Sequence, residues 1–266
     1  SGIAAVTAIS LTLATSASAA QSTVNLGSTS VYAVLAGAGI TNTGATTISG
    51  TAGGDLGSAP TSGITGDTLI TTTGTKHPAA DAQTLAAKDD LVTAYNDAAG
   101  RTPATTVAAD LGGQTLTQGV YNSASSLGLT GTLTLDGEND PNAVFIFQAG
   151  STLTTASSSV VTLIRGAQPC NVFWQIGSSA TFGTDTNFIG HVFALESITA
   201  NTRAVFQGQL LARNGAVTLD TNTITNNTCA SVVPPTDEGG ELPNTDTVDW
   251  LIPVWVGAVL IAAGVV

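Results

Sequence analysis

A period of 18 residues constrains the fold of this chain more than any other feature. Residues 179–194 (SATFGTDTNFIGHVFA) align with residues 197–212 (SITANTRAVFQGQLLA), placing Phe188 on Phe206, Gly190 on Gly208 and Ala194 on Ala212. A further copy begins at residues 216–221, residues 150–157 match 177–184, and far upstream residues 38–50 follow the template of 196–208. A repeat of this length, rich in β-branched residues and punctuated by Gly and Asn, fits one turn of a parallel β-solenoid with two longer legs and a short one. Alternation along the strand then assigns the faces. Ile40, Leu153, Ala180, Ile198 and Val217 form one apolar column, with Thr155, Phe182, Ala200 and Leu219 two positions on, so both point inward. The column between them points outward and reads Thr41, Thr154, Thr181, Thr199, Thr218, flanked three residues later by Ser157, Thr184, Thr202 and Thr221.

One segment breaks the β pattern. Residues 78–99 start at a Pro, carry Leu85, Val92, Tyr95 and Ala99 as a stripe and stop at Gly100, which predicts a helix of about 20 residues. On the second leg of the repeat the outward positions Ile189, Phe193 and Leu211 are apolar and require a cover, which this helix can supply. The same leg carries Gln209 as an outward polar position, and the threonine leg is left bare.

Charge narrows the functions open to such a chain. Only 9% of residues are charged, the net charge is −12, and six Lys and Arg in all provide no basic patch for nucleic acid. Glycan-cleaving solenoids need clustered carboxylates, whereas the outward columns here are Thr, Ala, Gly and Asn, so no enzyme and no cofactor is expected. His77 precedes a Pro and His191 lies on a strand opposite Gln209; both are read as structural, with no ligand-spaced His, Cys or carboxylate beside them. Asp136-Gly-Glu-Asn-Asp140 lacks the register of a calcium loop and is read as a turn, leaving no metal site.

The two ends address the chain to the cell exterior. Residues 1–19 form an apolar run closed by Ala17-Ser18-Ala19, the small-x-small pattern of a signal peptide; the missing Met and basic segment imply a start upstream. Residues 20–230 are then the solenoid domain and residues 231–241, with Pro234-Pro235 and an acidic stretch, a linker. Leu242, Pro243, Asn244, Thr245 and Asp246 resemble the Leu-Pro-x-Thr-Gly sorting signal, with Asp246 in the place of Gly, and the apolar residues 250–266 that follow read as a truncated membrane segment. Extracellular localisation is therefore expected, with attachment to cell wall or membrane through the C-terminus. In an exported chain the single pair Cys170 and Cys229 reads as a disulfide, two buried thiols being the alternative.

The segments YAVLA (32–36), LGGQTLTQGVY (111–121), GTLTLD (131–136), AVFIFQ (143–148), NVFWQ (171–175) and GAVTLD (215–220), in this order and spacing, resemble the bacterial and microalgal ice-binding family. The resemblance implies a mainly β fold: a right-handed, triangular, discontinuous parallel β-solenoid with one long helix packed alongside, whose first coil is separated from the rest by the helix and docks on the last. Gln118 stands where the family usually has Pro and should alter only a turn. The resemblance also implies binding to an ice crystal surface; the oligomeric state stays open, with a monomer expected. Thr41, Thr154, Thr181, Thr199 and Thr218, with Thr184, Thr202 and Thr221 beside them, become the candidate ice-binding residues, and Thr199-Ala-Asn-Thr202 resembles the family's Thr-Ala/Gly-x-Thr/Asn element. Two competing readings stand against this. Thr is a good strand former whose ladder stabilises any solenoid, and a rigid non-catalytic solenoid can serve as a spacer or adhesin for glycan or another cell.

Overall fold

The computed structural model describes residues 20–231, which belong, up to Ala230, to a single compact unit. Residues 1–19, read above as a signal peptide, and residues 232–266, read as linker, sorting-like motif and apolar segment, lie outside the described residues. Among the described residues no helix is long and apolar enough to cross a membrane.

Every strand pairing is parallel, and the strands fall into three legs. The first leg stacks Leu127–Leu129, Leu153–Thr155, Ala180–Phe182, Ile198–Ala200 and Val217–Leu219, with Leu153 on Ala180, Ala180 on Ile198 and Ile198 on Val217. The second leg contains Thr132–Asp136, Val160–Ile164 and Thr223–Thr225, and the third Gly119–Ser123, Phe145–Ala149 and Val172–Ile176. Asn187–Ala194 and Val205–Ala212 run through both of these legs. They turn between them at Gly190 and Gly208, both at positive φ. A Cβ on Gly208 would lie 2.0 Å from the Gly190 carbonyl oxygen, so only glycine allows the coils to stack at this corner.

The discontinuity expected from the family resemblance is present. Strand Tyr32–Asn42 pairs with the last coil, Val34 opposite Leu210 and Ile40 opposite Val217, and its other edge carries Asp55–Thr65. The N-terminal coils thus extend the solenoid beyond the C-terminal ones, and the segment between them includes the helix.

Inside, both predicted columns are buried, including Thr155, whose hydroxyl meets that of Thr186 at 3.0 Å. An aromatic file runs along the axis: Tyr121 to Phe147 (5.4 Å between ring centroids), Phe147 to Trp174 (4.0 Å), Trp174 to Phe188 (4.8 Å), with Phe182 edge-on to Phe188 and Phe206. The Trp174 indole donates to the Ile189 carbonyl at 2.9 Å, so the largest core side chain leaves no polar atom unpaired.

The helix is shorter at its start than the sequence implies, running Ala82–Gly100 with Asp81 as N-cap and not Pro78 as first residue. Asp81 accepts from the Thr84 backbone N–H at 2.8 Å, satisfying one of the free donors of the first turn. The predicted stripe is also corrected. Leu85 and Val92 are exposed, and the buried face is Thr84, Ala87, Lys88, Leu91, Ala94, Tyr95 and Ala98. This face covers the third leg, where Phe193 and Leu211 join Leu35, Ile146, Phe173, Leu91 and Tyr95 in one apolar cluster, while Ile189 packs into the central core instead.

Candidate functional site

The first leg is uncovered, and its outward column is longer than the repeat reveals. Strand register places Thr154, Thr181, Thr199, Thr218, Thr41 and Thr65 in successive rungs. With neighbouring strands about 4.7–4.9 Å apart, the six residues span roughly 24 Å. All six side chains reach solvent, Thr41, Thr65 and Thr154 being the most exposed. Among the described residues none of these hydroxyls bonds internally, in contrast to the inward Thr155–Thr186 pair. Two residues back along each strand stand Thr152, Ser179, Ser197, Ala216, Gly39 and Gly63, so nothing bulky rises on that side of the ladder. Below Thr154 the column ends in Gly128 and then Asp110.

The stiffness of this face follows from its chemistry. A β-branched side chain on a strand has one or two allowed χ1 wells, and each rung except the end rung Thr65 is fixed on both sides by backbone pairing. The ladder therefore presents alternating methyls and hydroxyls in a flat, uncharged array that can order water but offers no general base, nucleophile or ligand set.

The groups that could have carried other chemistry are committed elsewhere. His77, expected to lack acidic neighbours, lies between two: Nδ1 is 2.7 Å from Asp81 and Nε2 is 3.3 Å from Asp55. Burial pulls its pKa down, but the hydrogen bonds to Asp81 and Asp55 outweigh this and hold it above the ordinary value. The sequence signal was available, since Asp81 follows His77 at helical spacing. The arrangement joins the helix N-cap to the sheet. His191 stacks on Phe173 (5.2 Å) and is fully buried, which pushes its pKa down to about 4 and keeps it neutral. Asp136 is held by Arg165 and accepts from the Glu138 N–H at 2.9 Å, with Glu138 and Asn139 at positive φ, so the DGEND segment is a turn.

A comparison with known proteins now bears on this face. The sequence profile of the Ice-binding-like family matches residues 34–225 and so spans all six ladder threonines. The chain belongs to the Ice-binding-like family. An ice-binding protein of Nostoc sp. (strain HG1) is 47% identical over 206 residues, covering 76% of this chain and 73% of the relative. The crystal structure of an ice binding protein from an Antarctic biological consortium matches with a TM-score of 0.75 at 46% identity, over 82% of this chain and 96% of that one. That of the Antarctic ascomycete Antarctomyces psychrotrophicus matches with 0.72 at 41%, over 77% and 98%. The relatives are ice-binding proteins, a non-catalytic family.

Within this ice-binding-like domain the second outward column differs from the sequence reading at its last rung. Ser157, Thr184 and Thr202 align as expected, but Arg203 N–H donates to the Asp220 carbonyl just as Asp185 N–H donates to that of Thr202. Asp220 thus occupies the Thr202 position, and Thr221 moves to the corner beyond, sharing a left-handed backbone with Ser158, Asp185 and Arg203. The last coil has lost one residue at this bend. Asp220 accepts from the hydroxyls of Thr202 (2.5 Å) and Thr221 (2.9 Å), the former chiefly holding its carboxyl below the usual range. At the corner below, Arg203 and Asp185 form an ion pair, bidentate at 2.7 and 2.8 Å.

Gln209 is corrected as well. It is fully buried and donates to the backbone carbonyls of Thr29, Ser30 and Tyr32, tying the N-terminal segment to the last coil. Cys170 and Cys229 are joined in a disulfide, with Cα atoms 5.3 Å apart.

Proposed function

We propose that this chain binds ice through its first leg, with Thr181, Thr199 and Thr218 at the centre, Thr154, Thr41 and Thr65 completing the ladder, and Thr184 and Thr202 widening it. The observation that carries the reading is the unbroken column of six outward threonines, none of them replaced by a charged residue, on an uncovered leg. A rung spacing of about 4.7–4.9 Å is close to an oxygen repeat of ice, so the ladder can hold water in a matching array across all its rungs. Thr221 at its corner belongs to the margin of this surface. The export and C-terminal attachment read from the two ends of the sequence complete the proposal: an extracellular domain held at a cell wall or membrane.

The test is a pair of tyrosine substitutions. Thr199→Tyr raises a ring in the middle of the ladder while leaving the core untouched, so stability shifts by no more than about 0.5 kcal/mol and thermal hysteresis and ice shaping fall sharply. The control is Thr162→Tyr, on the second leg opposite Thr134, which keeps full activity. Retained activity in the first variant with loss in the second assigns ice to the other leg. A parent chain that neither shapes ice nor inhibits recrystallisation sinks the reading.

A further inference from the structure

Resting on that reading, we infer that the domain is built as a tethered ice adhesin: its two ends leave at the one corner that faces away from the threonine leg, and the disulfide clamps that exit. In each coil the chain passes the first leg, then the second, then the third, so the corner between second and third legs lies opposite the first. Gly208 marks that corner, and pairing of Gln207 with Thr225 places Asn226 at the equivalent point of the last coil. The chain leaves the solenoid there. Thr51 N–H donates to the Asn227 side chain, Thr228 N–H to the Thr51 hydroxyl, and Ala230 N–H to the Gln168 side chain. Cys170 itself lies in the connection between Val160–Ile164 of the second leg and Val172–Ile176 of the third, at the same corner.

The other end of the domain arrives at this corner too. Gln21, Ser22 and Thr23 line a cavity of about 340 Å³ together with Asn142, Asn171 and Cys229. Arg101 fixes Ser22 and Thr23, donating to their carbonyls at 2.8 and 3.3 Å. Both ends can therefore be occupied by other segments of a longer chain, or by an anchor, while the ladder stays open on the far side.

The disulfide adds a mechanical argument. Thr223–Thr225 is a three-residue strand, and tension on Ser231 would peel it from its neighbours one hydrogen bond at a time. Cys229 stands two residues before Ser231 and is bonded to Cys170, 59 positions earlier in the chain and several coils away. Tension is passed to the middle of the solenoid before it reaches the terminal strand.

The experiment couples the full chain to micrometre beads through a tag after Val266 and measures their retention on a growing ice front under flow, beside the free chain's ice shaping. Beads are expected to hold, and mild reduction of the disulfide, checked to leave the circular dichroism spectrum unchanged, lowers the shear that detaches them. Beads that slide off while the same chain shapes ice in solution overturn the inference and leave the ice-binding reading intact. Unchanged detachment after verified reduction removes the clamp. A chain inactive in both forms removes the reading and the inference together.

Discussion

His77 shows how one residue joins two elements that the sequence presents separately. Its raised pKa means that the folded state binds the proton more tightly than the unfolded chain. The stability so gained is present below the unfolded value of about 6.5 and is lost as pH rises through the folded value. Asp81 works in the other direction: its pKa falls to about 2, first through His77 and then through Thr84, so its contribution is present above about 4 and lost towards pH 2. Lys88 complicates the alkaline side. Burial, reinforced by Arg213, lowers its pKa to about 8 although its ammonium donates to the carbonyls of Ala212 and Arg213 at 2.6 Å. Stability linked to Lys88 therefore rises between pH 8 and about 10.5, and the His77 effect has to be read below that range. Thermal melts at pH 5.5 and 7.5 should show the parent losing stability on the alkaline step and His77→Asn starting lower and changing less. On the scale of about 2–4 °C per kcal/mol for a domain of this size, the difference is measurable. Equal slopes for parent and variant rule out the bridge.

The helix is where reading by residue size misleads. Its existence was legible from the Gly100 stop and the interruption of the β repeat, and its partner from the apolar outward residues Phe193 and Leu211. Its buried face was not, because the face is made chiefly of Ala87, Ala94 and Ala98 with Leu91 and Tyr95 between them, while the larger Leu85 and Val92 stand in solvent. Small residues bring the helix close to the sheet, and a count of large apolar side chains looks straight past them. Gln209 was misplaced for a related reason: the alternation identified its direction correctly, but the segment that covers it begins 180 residues earlier. Chemical denaturation distinguishes the two stripes. Leu91→Ala, at a fully buried site, should cost about 2–5 kcal/mol. Leu85→Ala, 46% exposed, should stay within about 0.5 kcal/mol. Comparable losses at both positions put the sequence-derived stripe back in contention.

For the molecule as a whole, the 18-residue period disclosed three legs, two inward columns and five of the six ladder threonines. Thr65 escaped because Asp55–Thr65 pairs with Tyr32–Asn42 through three register shifts, and the step from Thr41 to Thr65 is 24 residues and not 18, which erases the repeat. Thr221 was misassigned for the opposite reason, one residue lost at a bend. Both exceptions fall where the chain enters or leaves the regular stack, and neither interrupts the central column. The order of the rungs makes a prediction that individual residues cannot. If ice is held by a continuous face, a protruding ring does damage according to how it divides that face. Tyr at Thr65 removes an end rung and leaves five contiguous threonines from Thr154 to Thr41, whereas Tyr at Thr199 leaves two on one side and three on the other. Water ordering depends on contiguous rungs, so Thr65→Tyr should retain most of the thermal hysteresis, Thr41→Tyr less, and Thr199→Tyr least, with matched melting temperatures. The ranking follows position in space and not in sequence, where Thr41 and Thr65 lie far from the other four. An activity loss as large at Thr65 as at Thr199, in variants of equal stability, shows that the end rung itself is the contact and that the face is not read as a continuous ladder.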